Sequence, residues 1–186
     1  MSDTSGLMTT LAPYLETLRR IVDATSPLSD FETSLKRLLA TLAEKHQVKR
    51  PTLSILDPET GTLRLRLTHG STKSADVEYE INEGITGQVL SSGQAMIAPI
   101  MKDHPAFLNK AHGRSDDELS SMGFVCVPVF GGDKKGGGQE VVGTLSVDAA
   151  MDSVEAGEAL KSFMEVVAGM IANQVLYLQE DMARQK

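Results

Sequence analysis

The sequence has no tryptophan and a single cysteine, Cys126, so no internal disulfide can form. No apolar run approaches the roughly 20 residues that span a bilayer. The start, MSDTSGLMTT, has neither the charged n-region nor the continuous apolar h-region of a secretory signal, and a cytoplasmic location is expected. Positive charge is also scarce. The net charge is -7, and the only adjacent lysines are Lys134 and Lys135, which leaves no basic stripe to track a phosphate backbone or contact nucleic acid directly. His46, His69, His104 and His112 share no ligand spacing, so no metal site is expected. No phosphate-binding glycine-lysine-serine motif and no helix-turn-helix pattern appear.

What is present suits one soluble core plus terminal helices: 186 residues, 41% hydrophobic and 23% charged. The organising stretch is Gly123 to Ala149, in which GFVCVPVF and VVGTLSVDA flank a glycine-laden hydrophilic loop, the signature of an antiparallel hairpin. In the second run Val141, Gly143, Leu145 and Val147 alternate with Val142, Thr144, Ser146 and Asp148, giving one apolar and one polar face. The first run is apolar throughout, as in a strand covered on both sides, although Pro128 lacks a ladder donor and requires a local irregularity.

Upstream, Leu11, Leu15, Leu18 and Val22 predict an amphipathic helix from Pro13 to Ala24, with proline in its first turn. After a break at Ser26-Pro27, Ser29 or Asp30 caps a second helix to about His46. Strands are predicted over 51–56 and 62–68, with Leu63, Leu65 and Leu67 opposing Arg64 and Arg66, and a shorter one over 77–81. A short helix follows at EGITGQVL, ended by Gly93, then a brief strand. Met101 to Met122 is polar and irregular, and reads as a lid with one helical turn at Asp116 to Ser121. Ser153 caps a long helix to about Gln179, whose stripe includes Leu160, Phe163, Met164, Val167 and Ile171, broadened by Val166, Asn173 and Tyr177.

In this order and spacing, EGITGQVL, PAFLN, FVCVPV and VVGTLSVD resemble a GAF domain, over about Asp30 to Gln179. The resemblance is nearest to the amino-terminal regulatory GAF domain of NifA-like, sigma-54-dependent activators of nitrogen-fixation genes. It implies an α+β fold: a central antiparallel sheet of five or six strands, N- and C-terminal helices on one face, and a ligand pocket under loops on the other. Residues 1–28 would be a helix serving a dimer or bundle, 29–180 the GAF domain, and 181–186 a tail toward a downstream domain. It further implies an AAA+ ATPase and a DNA-binding domain in the full-length protein, a regulatory protein partner, and 2-oxoglutarate as a regulatory ligand. The alternative is a dimerisation and protein-interaction module without a small-molecule ligand.

A dianion in a closed pocket needs cations and hydrogen-bond donors. Arg64, Arg66, Thr86, Thr144 and Ser146 are the candidates, with Phe107 and Cys126 as pocket wall. Glu78 and Glu80 could instead neutralise the arginines across the sheet. GAF domains that attach bilins or reduce methionine sulfoxide use suitably placed or several cysteines, and one strand-buried Cys supports neither. Asn109-Lys110 and Asp117-Glu118 resemble part of a cyclic-nucleotide motif, but Gly113 falls where its phenylalanine would. Ser146 and Asp148 lie two apart with no histidine placed to complete a triad, so no catalysis is expected. Apolar surface on both terminal helices predicts a homodimer.

Overall fold

The computed structural model describes residues 4–24, 30–46, 48–70, 77–133 and 139–184. The Ser26-Pro27 break, Ser29, the boundary at 28, Lys134, Lys135 and the last two residues of the tail lie outside them, as does the side chain of Leu11. The elements run α1 (Thr4–Ala24), α2 (Phe31–His46), β1 (Lys49–Leu56), β2 (Leu63–Thr68), β3 (Glu78–Tyr79), α3 (Gly84–Ser92), β4 (Met96–Ala98), α4 (Asp116–Ser121), β5 (Gly123–Asp133), β6 (Gln139–Ala149) and α5 (Val154–Arg184). The strands form one antiparallel sheet in the order β3-β2-β1-β6-β5-β4.

The hairpin β5-β6 does organise the sheet. In β6, Leu145 and Val147 enter the core beneath the helices, while Thr144, Ser146 and Asp148 share the opposite face with the cavity-lining side chains. Val125, Val127 and Val129 of β5 join the helix-face core, and Phe124 and Cys126 the other. Pro128 is accommodated because β4 pairs only with Phe124 to Cys126, so at Pro128 β5 has left its outer neighbour behind; the register shifts just beyond it, between Val129 and Phe130. That shift also puts Val142 on the helix face and Val141 on the other, against simple alternation.

A second irregularity corrects the reading of β2. Leu53 pairs with Leu67 but Ser54 with Leu65, so Arg66 is the extra residue of a β-bulge. Leu63 and Leu65 stay on the cavity face, whereas Leu67 crosses to the helix-face core.

The helix layer is built from α2 and α5, whose Leu35, Leu38, Leu39, Leu42, Met164, Val167 and Ile171 are fully buried or nearly so. Each such side chain contributes about 1.5–3 kcal/mol on burial. Asp30 caps α2 by accepting from the Thr33 N–H at 2.8 Å, and Ser153 caps α5 by accepting from the Ala156 N–H at 3.1 Å. On the other face Gly93 ends α3 in the left-handed conformation (φ 65°), and Gly87 is required because a Cβ there would lie 2.3 Å from the Glu80 carbonyl oxygen. The row expected to broaden the covered surface of α5 does not: Val166 and Tyr177 are half-exposed.

Helix α1 starts earlier than expected, so Pro13 is interior, and it packs with a different face. Tyr14, Thr17, Leu18 and Ile21 turn inward while Leu15 and Val22 are exposed. The contact is centred on His46 of α2, which stacks on Tyr14 (4.8 Å between centroids, 10° between planes) and meets Phe163 of α5 at 4.6 Å. His46 Nε2 lies 2.9 Å from the Thr17 hydroxyl, which donates to the Pro13 carbonyl. With that hydroxyl proton committed, Nε2 must be the donor.

Burial holds the His46 pKa below its ordinary 6.5. The unfolded chain takes up a proton near pH 6.5, whereas the folded chain resists it, so stability present above that value falls as pH drops through it. Urea denaturation followed from about pH 7.5 to about pH 5.5 should show a falling midpoint, and His46→Gln should remove that component. A flat wild-type midpoint over this range would contradict the assignment.

Candidate functional site

On the face of the sheet away from the helices lies a cavity of about 20 Å³, enough for about one water. Its floor is Thr52 and Ser54 of β1, Leu65 of β2, Phe124 of β5 and Ser146 of β6; Tyr79 of β3 and Ile85 and Thr86 of α3 form one wall. The roof is the expected lid, through Phe107, Leu108, Ala111, His112 and Arg114.

The lid is held by side chains rather than by regular structure. Asn109 closes the loop onto itself, donating to the Arg114 carbonyl at 2.8 Å and accepting from the Arg114 N–H at 2.7 Å. His112 Nε2 lies 3.0 Å from the Thr52 hydroxyl, and Lys110 reaches Glu83 at 2.7 Å and sits over the Tyr79 ring. Helix α4 then starts with a complete capping box between Ser115 and Glu118.

A four-residue charge cluster anchors this roof to the sheet. Arg114 donates from Nε and Nη2 to the two oxygens of Asp148, each at 2.7 Å, in the two-pronged geometry that guanidinium and carboxylate favour. Arg50 donates to the same carboxylate at 2.8 Å and to Glu118 at 2.5 Å. Asp148 is wholly buried and Arg114 is 6% exposed. The Arg114 guanidinium is flanked by the rings of Phe107 (5.2 Å) and Phe124 (5.7 Å), which meet edge to face. The hydrogen bond from Arg50 holds the Glu118 carboxyl below its usual range. Arg50 adopts a left-handed φ of 49°, rare for a residue with a side chain, beside the β1 irregularity.

The residues expected at the site divide. Thr86, Phe107 and Ser146 line the cavity. Cys126 and Thr144 lie just behind it, with the Thr144 and Thr86 hydroxyls bonded to the thiol; burial pushes the Cys126 pKa up to about 12. Arg64 and Arg66 are elsewhere. Arg64 sits opposite Ile55, whose side chain belongs to the helix-face core, and pairs with Glu78 at 2.9 Å. Arg66, displaced by the bulge, pairs with Glu32 of α2 at 2.9 Å. The cation at the cavity is Arg114, which sequence reasoning passed over. Its one visible signal was a lone arginine in an otherwise acidic and neutral stretch, GRSDDEL.

No family model matches the chain. It is 29% identical over 178 residues to nitrogen fixation protein VnfA of Azotobacter vinelandii, covering 93% of this chain and 32% of that protein. It is 31% identical over 150 residues to the Nif-specific regulatory protein of Azospirillum lipoferum, covering 78% of this chain and 23% of that protein. The chain thus spans a quarter to a third of the length of these relatives. Among solved structures, the GAF domain of A. aeolicus nlh2 in an inactive state matches with a TM-score of 0.72 at 22% identity, over 88% of this chain and 95% of that one. Free methionine-R-sulfoxide reductase from Neisseria meningitidis, in complex with its substrate, matches at 0.67 and 19% identity, over 98% and 95%. These likenesses establish the fold.

Cys126 has the environment of an inert core thiol. A thiol reagent should label it only as the chain unfolds, and at an ordinary rate in denaturant. Rapid labelling of the native protein would contradict this placement.

Proposed function

We propose, from the premise that this chain is a GAF domain homologous to the Nif-specific regulators, that it is the ligand-sensing regulatory domain of a sigma-54-dependent activator of nitrogen-fixation genes and performs no catalysis itself. Residues 29–180 are the sensing unit, residues 1–28 add a helix for association, and residues 181–186 lead toward further domains. In such a protein the remaining length carries the AAA+ ATPase and the DNA-binding domain that the sensor regulates, and a regulatory protein partner acts on the same assembly.

The observation that carries this reading is the cavity. It lies between the sheet and a segment held by side-chain contacts, and the hydroxyls of Tyr79, Ser54 and Ser146 on its walls make no hydrogen bond within the described residues. A few polar groups converging on a partly apolar cavity mark a place for a polar guest. 2-Oxoglutarate suits the donors present. At about one water's volume the cavity is the closed form, and admitting a metabolite requires the lid to lift.

The second reading, an interaction module without a metabolite, is favoured by that small volume and by the exposed Leu15, Val22, Phe31 and Tyr177 along the helical layer. A homodimer joined through the terminal helices is part of both readings.

A thermal-shift screen with 2-oxoglutarate, cyclic nucleotides and haem separates them. A guest that binds only the native state raises the midpoint by mass action, and 2-oxoglutarate is expected to do so. No shift with any of the three would favour the second reading. Light scattering on the 186-residue chain is expected to give the mass of a dimer; a monomer independent of concentration would remove the helix-mediated association.

A further inference from the structure

The ion pair over the cavity has a property that the sensing reading leaves unused. Asp148 occupies two of the three guanidinium nitrogens of Arg114, Nε and Nη2. The third, Nη1, makes no hydrogen bond within the described residues, and Arg114 is itself part of the cavity wall. The rings of Phe107 and Phe124 pack against the guanidinium, and its two bonds to Asp148 leave Nη1 as the nitrogen open to a guest.

We propose that Arg114 recognises the acidic end of the effector, and that Asp148 is a built-in anion which holds Arg114 in place until the effector's own anion takes it over. This rests on the sensing reading and adds the residue, the ligand chemistry and the exchange.

The exchange is feasible because Asp148 has a second cation. Removing the only partner of a buried carboxylate is strongly destabilising. Here Arg50 bonds Asp148 at 2.8 Å, so the carboxylate stays paired when a guest's anion competes for the bonds of Arg114. The charge count points the same way. Arg50 and Arg114 balance Asp148 and Glu118, and the exposed Lys49, its Nζ 3.7 Å from Glu118, adds positive charge at the rim, so an approaching anion meets no net negative charge from this cluster. The unpaired hydroxyls of Tyr79, Ser54 and Ser146 add neutral donors around it. Burial pushes the Tyr79 phenol up to about 12, so it is a donor at any physiological pH. A compact carboxylate and a phosphate share this chemistry.

The test is isothermal titration of the 186-residue chain at constant ionic strength with succinate, inorganic phosphate and the neutral isostere succinamide. Wild type is expected to bind succinate or phosphate and not succinamide. A succinate response assigns a carboxylate, a phosphate response a phosphate ester, and either supports the proposal. Arg114→Gln should weaken binding by at least about tenfold and Asp148→Asn should tighten it by about as much, the inverse signs being the mark of competition. Where Asp148→Asn fails to fold, Glu118→Gln serves: it leaves the Arg114–Asp148 bonds intact, commits Arg50 to Asp148 and raises the surplus positive charge, so anion binding should tighten. Binding that survives Arg114→Gln unchanged, or binding of succinamide alone, overturns the assignment and leaves the sensing reading standing. Failure of both anions to bind any folded protein in the series overturns the assignment; a response to cyclic nucleotides or haem then decides the sensing reading separately.

Discussion

A carboxylate with no access to water must be answered by charge and hydrogen bonds, and at Asp148 this requirement ties together parts of the chain far apart in sequence. Arg50 lies 98 residues before it and Arg114 lies 34 before it. Neither arginine could satisfy the carboxylate from a slipped register or from a lid docked one residue along. Buried ion pairs add little net stability against apolar replacements of like volume, but their cost of mispairing is high. The cluster therefore selects one arrangement of β1, β6 and the lid more than it strengthens it. The unusual backbone of Arg50 fits this picture. The irregularity between Lys49 and Thr52 sets Lys49 opposite Asp148, and it is with the left-handed φ of 49° that the Arg50 side chain reaches the carboxylate.

The same residue joins the two faces of the sheet. Asp148 is the penultimate residue of β6, and its neighbours Val147 and Ala149 enter the helix-face core. The link from Ala149 to the Ser153 cap of α5 is short, so Asp148 stands close along the chain to where the longest helix begins. A cavity on one face and a helical layer on the other can thus bias one equilibrium from two sides, which is what coupling between sites requires. No wire of intermediate residues is needed. The strand is shared, and a one-residue step along it crosses from the ion pair to the core.

Most of the fold was legible because it follows from periodicity and turn chemistry: the hairpin at Gly123, the αL glycine after α3, the acidic capped turn at Asp116 and the α5 stripe were all expected where they occur. The site was legible only in part. Thr86, Phe107 and Ser146 could be placed because they sit in or beside elements with a readable face. Arg66 was misplaced because a bulge is invisible to a rule of alternation, whereas Arg64 alternates regularly but with Leu63 and Leu65 facing the cavity side, which leaves Arg64 on the helix face with Ile55. Arg114 was missed for a different reason. It stands in an aperiodic segment, where direction is set by tertiary partners, and its partner was read as one polar residue on a strand face without the cation to which that face turns.

Helix α1 shows the same limit in another form. Leu15, Leu18 and Val22 mark an apolar line correctly, but a helix with two such lines does not announce which one meets its own domain. Here the inward line is Tyr14, Thr17, Leu18 and Ile21, decided by the complementarity of Tyr14 with His46 and Phe163 and by Thr17 returning its proton to the Pro13 carbonyl. Leu15 and Val22 are thereby left outward, 61% and 57% exposed. Side chains of that kind, separated by two helical turns, form a narrow seam rather than a scattered surface, and a narrow seam is the geometry in which one helix buries another.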